Sequence, residues 1–432
     1  MDVKTLINVV DGKLISGNLN QKFNKVSIDT RTLKKDNLFI ALNGKKKGSL
    51  YIDEAIKKGC RVVITEEKIE KNITVIQVRD CYQALNLLAK NLKEKYNLPL
   101  IAVTGSVGKT LTKDLISDIL NKKYKVLKSY KNYNNHLGLP LTLLNLNDQH
   151  DIIVCELGMN HLGEIEKLSK LCNPSVGVIT NIGTSHIGNL GSKKNILRAK
   201  KEIIKGMNNG PLVINGDDKL LRKIKYPNLV TGGLKKNNDL VVKKLKSDFT
   251  KTKFQIKIDN QVYDFTFNIP GWHLINNVVL AIQVGLLFNV SIADIQEAIK
   301  EFKSDDHRFK INKINDNIII DDSYNSSYES VIGGINLIKK MPNRKVIILG
   351  DILELGKYSY KIHNKILRKV KKIPNSTILL VGNQFRTSRF RQFSDVDELI
   401  KYLNNKTFYD TLFYIKGSRK IGLEKVVEML KK

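Results

Sequence analysis

Between residues 98 and 305, short runs of apolar residues alternate with longer amphipathic stretches. The runs 100–104, 151–156, 176–181 and 211–215 have unbroken apolar centres, which predicts strands buried on both faces. The stretches 109–122, 162–171, 193–206 and 272–288 carry the helical period. Such alternation predicts a parallel sheet with helices on both faces. Residues 240–268 break the pattern. Phe254-Gln255-Ile256-Lys257-Ile258 and residues 262–267 alternate with a period of two, predicting a small antiparallel sheet. From residue 306 a second alternating set begins, with strands at 317–321, 345–349, 377–381 and 412–416, and a closing helix from about Leu423. Ahead of a hinge at Asn97-Leu98-Pro99 lie strand-like runs at 38–42 and 61–64 and helices at 51–58 and 82–95. The expected fold is α/β in three domains. These are a small α/β N-terminal domain (1–97), a central P-loop-type domain (98–305) and a Rossmann-like C-terminal domain (306–432).

Composition narrows the class. A chain of 432 residues is too long for one core at ~150 residues per domain. No apolar stretch approaches the ~18 residues of a membrane span, and the N-terminus lacks the apolar region of a signal peptide. Cys60, Cys81, Cys155 and Cys172 are scattered with no C-x-x-C pair, which fits a reducing, cytoplasmic setting and neither a zinc site nor a disulfide framework. The net charge of +31 has three readings: lysine enrichment over the whole surface, attraction of an anionic substrate, or nucleic-acid binding. The lysines are spread along the chain, and no basic–aromatic interleaving or RNA-binding signature accompanies them. The first reading is therefore favoured, and no specific nucleic acid is expected as a partner.

The strongest chemical signal is Thr104-Gly105-Ser106-Val107-Gly108-Lys109-Thr110, which follows an apolar run and opens a helix. A glycine-rich turn at a helix N-terminus points backbone N–H groups at phosphate oxygens. Lys109 is placed to reach the terminal phosphates and Thr110 to put its hydroxyl on Mg²⁺. The loop is one form shorter than the common phosphate loop: a glycine at position 103 would complete that pattern, and the residue is Val103. Polar residues recur at the ends of the following strands, where open α/β sheets bind ligands. Glu156 ends one strand and suits a hard cation. The next leads into Asn181-Ile182-Gly183-Thr184-Ser185-His186, and the helix after that carries Arg198, Lys200, Lys201 and Glu202. Singly, these read equally well as a capping acid, a surface histidine and solvated lysines; together, behind a phosphate loop, they read as a site.

These strings resemble the Mur ligases, ATP-dependent amide-forming enzymes of peptidoglycan synthesis, over essentially the whole chain. The matching segments are Asp29-Thr30-Arg31 with 37–44, Thr104 to Thr110, Asn134-Asn135-His136, Glu156-Leu157-Gly158-Met159-Asn160, Ala199-Lys200 with Glu202, Gly271-x-His273 with Asn277, Asp322-Ser323-Tyr324-Asn325, Gly350-Asp351 with Glu354, and Lys416-Gly417-Ser418-Arg419. The E-L-G-M-N and D-S-Y-N strings resemble the branch that joins D-alanyl-D-alanine to UDP-N-acetylmuramoyl-tripeptide. The resemblance implies ATP and two Mg²⁺ ions as cofactors, those two substrates as partners, and a monomer. It implies catalytic Lys109, Glu156, His186 and a carbamylated Lys200. Thr110, Glu156, His186 and the carbamate would be metal ligands. ATP would be held by residues 104–110 with Asn277, Arg308, Asp322 and Asn325. The substrates would be held by Asp29, Thr30, Arg31, Asn134, Asn135, Ser185, Lys416, Ser418 and Arg419. Two strings depart from the family pattern: Asn325 is followed by Ser326-Ser327-Tyr328 where A-N-P is usual, and Lys47-Gly48-Ser49 replaces D-G-H. The alternatives are a folylpolyglutamate synthetase-like ligase and a basic nucleotide-dependent nucleic-acid-binding protein.

Overall fold

A computed structural model describes residues 1–304 and 307–431. The expected boundary between residues 305 and 306 lies outside the described residues.

Three sheets stand in chain order. The first has five strands in the order Lys13–Ser16, Thr74–Gln77, Val62–Thr65, Leu38–Ile40 and Val26–Ser27, parallel except for the first pair. The second has nine strands, with Leu100–Thr104 between Ile152–Glu156 and Val176–Ile179. Those three strands are buried at every position, as their unbroken apolar centres predict. From Leu100–Thr104 the chain first builds toward one edge, through Val126–Lys128, and then toward the other, through Leu212–Asn215 and Leu229–Gly233. The reversal leaves a crevice beyond the carboxyl end of Leu100–Thr104, and the glycine loop sits there.

The period-two segment forms antiparallel strands, Leu240–Ser247, Thr252–Ile258 and Gln261–Phe267. They are not a separate sheet: Leu240–Ser247 pairs in parallel with Leu229–Gly233 and so extends the edge of the central sheet. The helix expected over 193–206 stops at Lys201 and continues as a 3₁₀ turn, Glu202–Gly206. The third sheet has six strands in the order Lys310–Ile314, Asn317–Asp321, Thr411–Lys416, Arg344–Gly350, Ser376–Val381 and Arg391–Phe393, with only the first pair antiparallel.

One apolar core runs from the central sheet into a face of the third, joining Ile116, Val278, Ile320, Ile347 and Tyr414. The first sheet has its own cores on its two faces. Its helix Cys81–Tyr96 also packs on the central helix Gly138–Leu143. The second and third sheets therefore share buried surface, which fixes how their strand ends face each other. Among the described residues no helix is long and apolar enough to cross a membrane.

Candidate active site

The loop 105–108 is shaped by two glycines with positive φ. Gly105 has φ +148°, and a Cβ there would overlap Thr180 Oγ1; Gly108 has φ +83°, and its Cβ would stand 2.5 Å from the Asn277 amide. The turn is held from the next strand end. Asn181 accepts from Val107 N at 3.0 Å and donates to Val107 O at 2.8 Å, while Thr180 Oγ1 donates to the same carbonyl at 2.6 Å. Ser185 Oγ donates to Ser106 O at 3.1 Å. Lys109 Nζ donates back to Gly105 O at 3.1 Å, so its ammonium lies over the turn.

Glu156 is buried and has both oxygens engaged. Thr110 Oγ1 donates to Oε2 at 2.6 Å and Asn134 Nδ2 donates to Oε1 at 2.7 Å. Lys200 is fully buried, and its ammonium nitrogen has no hydrogen-bond partner among the described residues. That excludes the solvated-lysine reading. Burial first, then the neighbouring Lys109 charge, pushes its pKa well below that of an ordinary lysine, against the opposing pull of Glu156, Glu202 and Glu164. His186 adopts a left-handed backbone, φ +60°. Its imidazole is pushed down to a pKa of about 3, mainly by burial and then by Lys109 and Lys200, so it is neutral at physiological pH. Its Nδ1 lies 3.0 Å from Glu354 Oε2, on the third unit.

The third unit supplies the opposite wall. Lys416 Nζ donates to Asp322 Oδ2 at 2.6 Å and to Asn325 O at 3.0 Å. Burial raises the Asp322 pKa, with Lys416 opposing. The Arg308 guanidinium lies 3.8 Å from the centre of the Tyr324 ring. Between the walls is a cavity of about 970 Å³. Of the residues singled out from sequence, it is lined by Ser106 to Thr110, Asn134, Asn135, Glu156, Ser185, His186, Asn277, Arg308, Asp322, Asn325 and Lys416.

Other expected site residues are placed elsewhere. Thr104 turns its hydroxyl to Leu157 O at 2.8 Å inside the sheet, and neither it nor Gly105 lines the cavity. Asn135 lines it but spends its side-chain oxygen on Leu137 N and Gly138 N, in the turn that leads into a short helix. Ser418 accepts from Leu353 N at 3.0 Å, and Arg419 pairs with Glu424 at 3.4 Å. Asp29, Thr30 and Arg31 belong to the first unit, away from this cavity, where Asp29 and Arg31 form a forked ion pair at 2.7 Å. Sequence reasoning named Asn181 and Glu354 only within longer strings, with no role of their own, and passed over Glu329. Asn181 was findable as a polar residue just beyond a buried strand; Glu329 had no local signal.

Residues that fit a magnesium site are Glu156 and Thr110, with neutral His186 and an orphaned Lys200 nearby. Among the described residues no three His, Cys, Asp or Glu side chains form a ready-made cage. Mg²⁺ is commonly held by one or two carboxylates together with substrate phosphates, and the Glu156 carboxylate with the Thr110 hydroxyl beside it offers such oxygens.

A shortened phosphate loop at a sheet reversal is faced across a cleft by the strand ends of a second α/β unit. Residues 103–285 match the Mur ligase middle domain. The UDP-N-acetylmuramoyl-tripeptide–D-alanyl-D-alanine ligase of Bacillus subtilis (strain 168) is 33% identical, over 99% of this chain and 98% of the relative. That of Buchnera aphidicola (subsp. Baizongia pistaciae) is 31% identical over 94% and 92%. The crystal structure of MurF from Acinetobacter baumannii superimposes with a TM-score of 0.93 at 27% identity, covering 100% of this chain and 99% of that one. The chain belongs to the UDP-N-acetylmuramoyl-tripeptide–D-alanyl-D-alanine ligase family of Mur ligases.

Proposed function

We propose that this enzyme joins D-alanyl-D-alanine to the C-terminal carboxylate of UDP-N-acetylmuramoyl-tripeptide at the expense of ATP, in the cytoplasm. The carboxylate attacks the γ-phosphorus, giving an acyl phosphate and ADP. The dipeptide amine then attacks the acyl carbon, phosphate leaves, and the amine proton is lost. The observation that carries this reading is the single cleft in which the phosphate loop of the central sheet meets Asp322, Asn325 and Lys416 of the third. A two-substrate ligation needs that arrangement, because the acyl phosphate must be formed and then attacked in one water-poor space.

In this reading residues 1–97 bind the nucleotide sugar through Asp29, Thr30 and Arg31, residues 98–305 bind ATP, and residues 306–432 bind the dipeptide and cover the nucleotide. The backbone of residues 105–108 takes the phosphates, and Lys109 neutralises charge developing on the transferred group. Asn277 steadies the nucleotide from beside Gly108 in the central unit, and Arg308, Asp322 and Asn325 do so from the third unit. Lys416 and Asp322 hold each other across the acceptor side. Ser185 braces the loop, and Asn134 holds Glu156 in its rotamer.

Two Mg²⁺ ions fit the donor set and would supply phosphate charge neutralisation. Thr110 and Glu156 would hold one, His186 and Lys200 the other. An unmodified ammonium at Lys200 beside a cation is repulsive. A buried amine that gives up its proton readily can add to CO₂, losing H⁺ and gaining a carbamate whose oxygens bind metal.

The test is phosphate release from ATP with UDP-N-acetylmuramoyl-tripeptide, with and without D-alanyl-D-alanine. Release and an amide product that require all three confirm the reading. Turnover with a folate and glutamate in their place, or none with the three, overturns it.

A further inference from the structure

Glu329 lies in the first turn of the helix Tyr328–Ile338, directly after the Ser326-Ser327-Tyr328 string that departs from the family pattern. Its carboxylate leaves the third unit and enters the central one. Oε2 accepts from Thr184 N at 3.0 Å and from Thr184 Oγ1 at 2.8 Å, and Oε1 faces Lys193 Nζ at 3.2 Å. Thr184 immediately precedes Ser185 and His186, and Lys193 opens the helix that carries Lys200. One side chain thus ties the third unit to both segments that build the far half of the phosphate site.

The room for this contact is made by glycine. A Cβ at Gly183 would stand 2.8 Å from Glu329 Oε2 and 3.1 Å from Ser106 Cβ. The approach of Glu329 is set by the departing string itself: Ser327 and Ser330 form a reciprocal capping box, which orients the turn that carries it. Neighbouring contacts run between the same two units. Gly188 N donates to Glu354 O at 3.0 Å, and the Tyr358 hydroxyl donates to Gly191 O. Gly188 and Gly356 meet backbone to backbone, since a Cβ on Gly188 would stand 2.8 Å from Gly356 N.

We propose that Glu329 is a positioning residue for ligation, clasping the third unit onto the loop 183–186 so that the acyl phosphate is shielded from water until the amine attacks. This rests on the ligase reading above. The carboxylate is engaged by Thr184 and Lys193 in the cavity that Glu329 helps to line. It acts by keeping Lys416, Asp322 and Asn325 opposite the phosphate loop, and charge-assisted hydrogen bonds to Thr184 make it a firm tie.

The experiment uses the full chain with Glu329→Ala, Glu329→Gln and Thr184→Val. Amide formed, phosphate released and ATP affinity are measured separately, and ligand-free proteins are compared by small-angle X-ray scattering. Glu329→Ala should lower kcat for amide about tenfold. ATP affinity should stay unchanged, phosphate released per amide should rise above one, and the radius of gyration should increase. Glu329→Gln, still able to accept from Thr184, should retain part of the coupling, and Thr184→Val should add nothing in the Glu329→Ala background. Wild-type coupling and scattering in Glu329→Ala, or additive losses in the double variant, overturn the clasp. Should Glu329→Ala not fold, Glu329→Gln and Thr184→Val carry the same readouts. A wild-type protein that makes no amide refutes the ligase reading, while scattering still decides the clasp.

Discussion

Thr110 Oγ1 stands 2.6 Å from Glu156 Oε2, across 46 residues of sequence, and joins the first turn of the phosphate-loop helix to the end of the neighbouring strand. A hydroxyl and a carboxylate so placed share one small oxygen-lined point. Glu156→Gln keeps the shape and removes the charge that a hard cation requires. Its Mg²⁺ titration should shift to higher concentration by more than its ATP affinity falls. An unchanged Mg²⁺ titration would mean that Glu156 only braces Thr110 and Asn134.

Lys109→Ala should abolish ligation without unfolding the chain, since among the described residues its ammonium hydrogen-bonds only to the Gly105 carbonyl. Loss of a charge contact to the transferred phosphoryl group should cost ~3 kcal/mol or more, by comparison with single-donor deletions at other sites. More than about a tenth of wild-type phosphate release would be incompatible with that role.

The Lys200 side chain has no hydrogen-bond partner among the described residues and no exposure. Its carbamate should appear as a carbonyl signal in ¹³C NMR of native protein equilibrated with labelled bicarbonate, and be missing from Lys200→Ala. Acetate should restore part of the activity of Lys200→Ala by returning a carboxylate to the pocket. A fully active Lys200→Ala without acetate would remove the carbamate from the mechanism.

His363 is buried with Nε2 accepting from Ile352 N at 3.1 Å and Nδ1 2.8 Å from Ser359 O, a pattern only the neutral ring can make. Burial lowers its pKa in the folded state. The unfolded chain, titrating near ~6.5, therefore binds more protons, so this contribution is intact above ~6.5 and is lost as pH falls toward the folded value. The melting temperature of wild type should drop between about pH 7 and about pH 5 more than that of His363→Gln. Parallel pH slopes would show that His363 is not the titrating group.

Lys45 and Lys46 are exposed, and Lys47 pairs with Glu67 at 3.2 Å on the surface of the first unit. Neutralising all three should lower kcat/KM for the nucleotide-peptide with little change in kcat. The deficit should fade as salt shortens the Debye length from ~10 Å at 0.1 M to ~3 Å at 1 M. An unaltered kcat/KM at low salt would assign these lysines to general surface charge.

The phosphate loop and the strands around it were legible because their signals are contiguous. A buried parallel strand is a run of apolar residues, and a phosphate-binding turn is a short string with glycines where φ is positive. Leu100–Thr104 and Lys109–Leu120 fall where the pattern placed them. The period-two segment was legible as antiparallel strands, but not as the edge of the central sheet. Alternation reports which face of a strand is buried and is silent about its neighbour.

Local period, turn chemistry and strand-end polarity are written in neighbouring residues, and from them follow the three α/β units and the end of the sheet that binds nucleotide. Partnership is not local. Thr104 gives its hydroxyl to Leu157, Asn181 clamps Val107 from 74 residues away, and Glu329 reaches Thr184 across 145. Lys200 loses its water because surrounding elements close over it, though its own helix reads as polar. Each of these depends on which strands become neighbours and how two sheets share one core. That is settled by burial summed over the whole chain, and no window of sequence contains it.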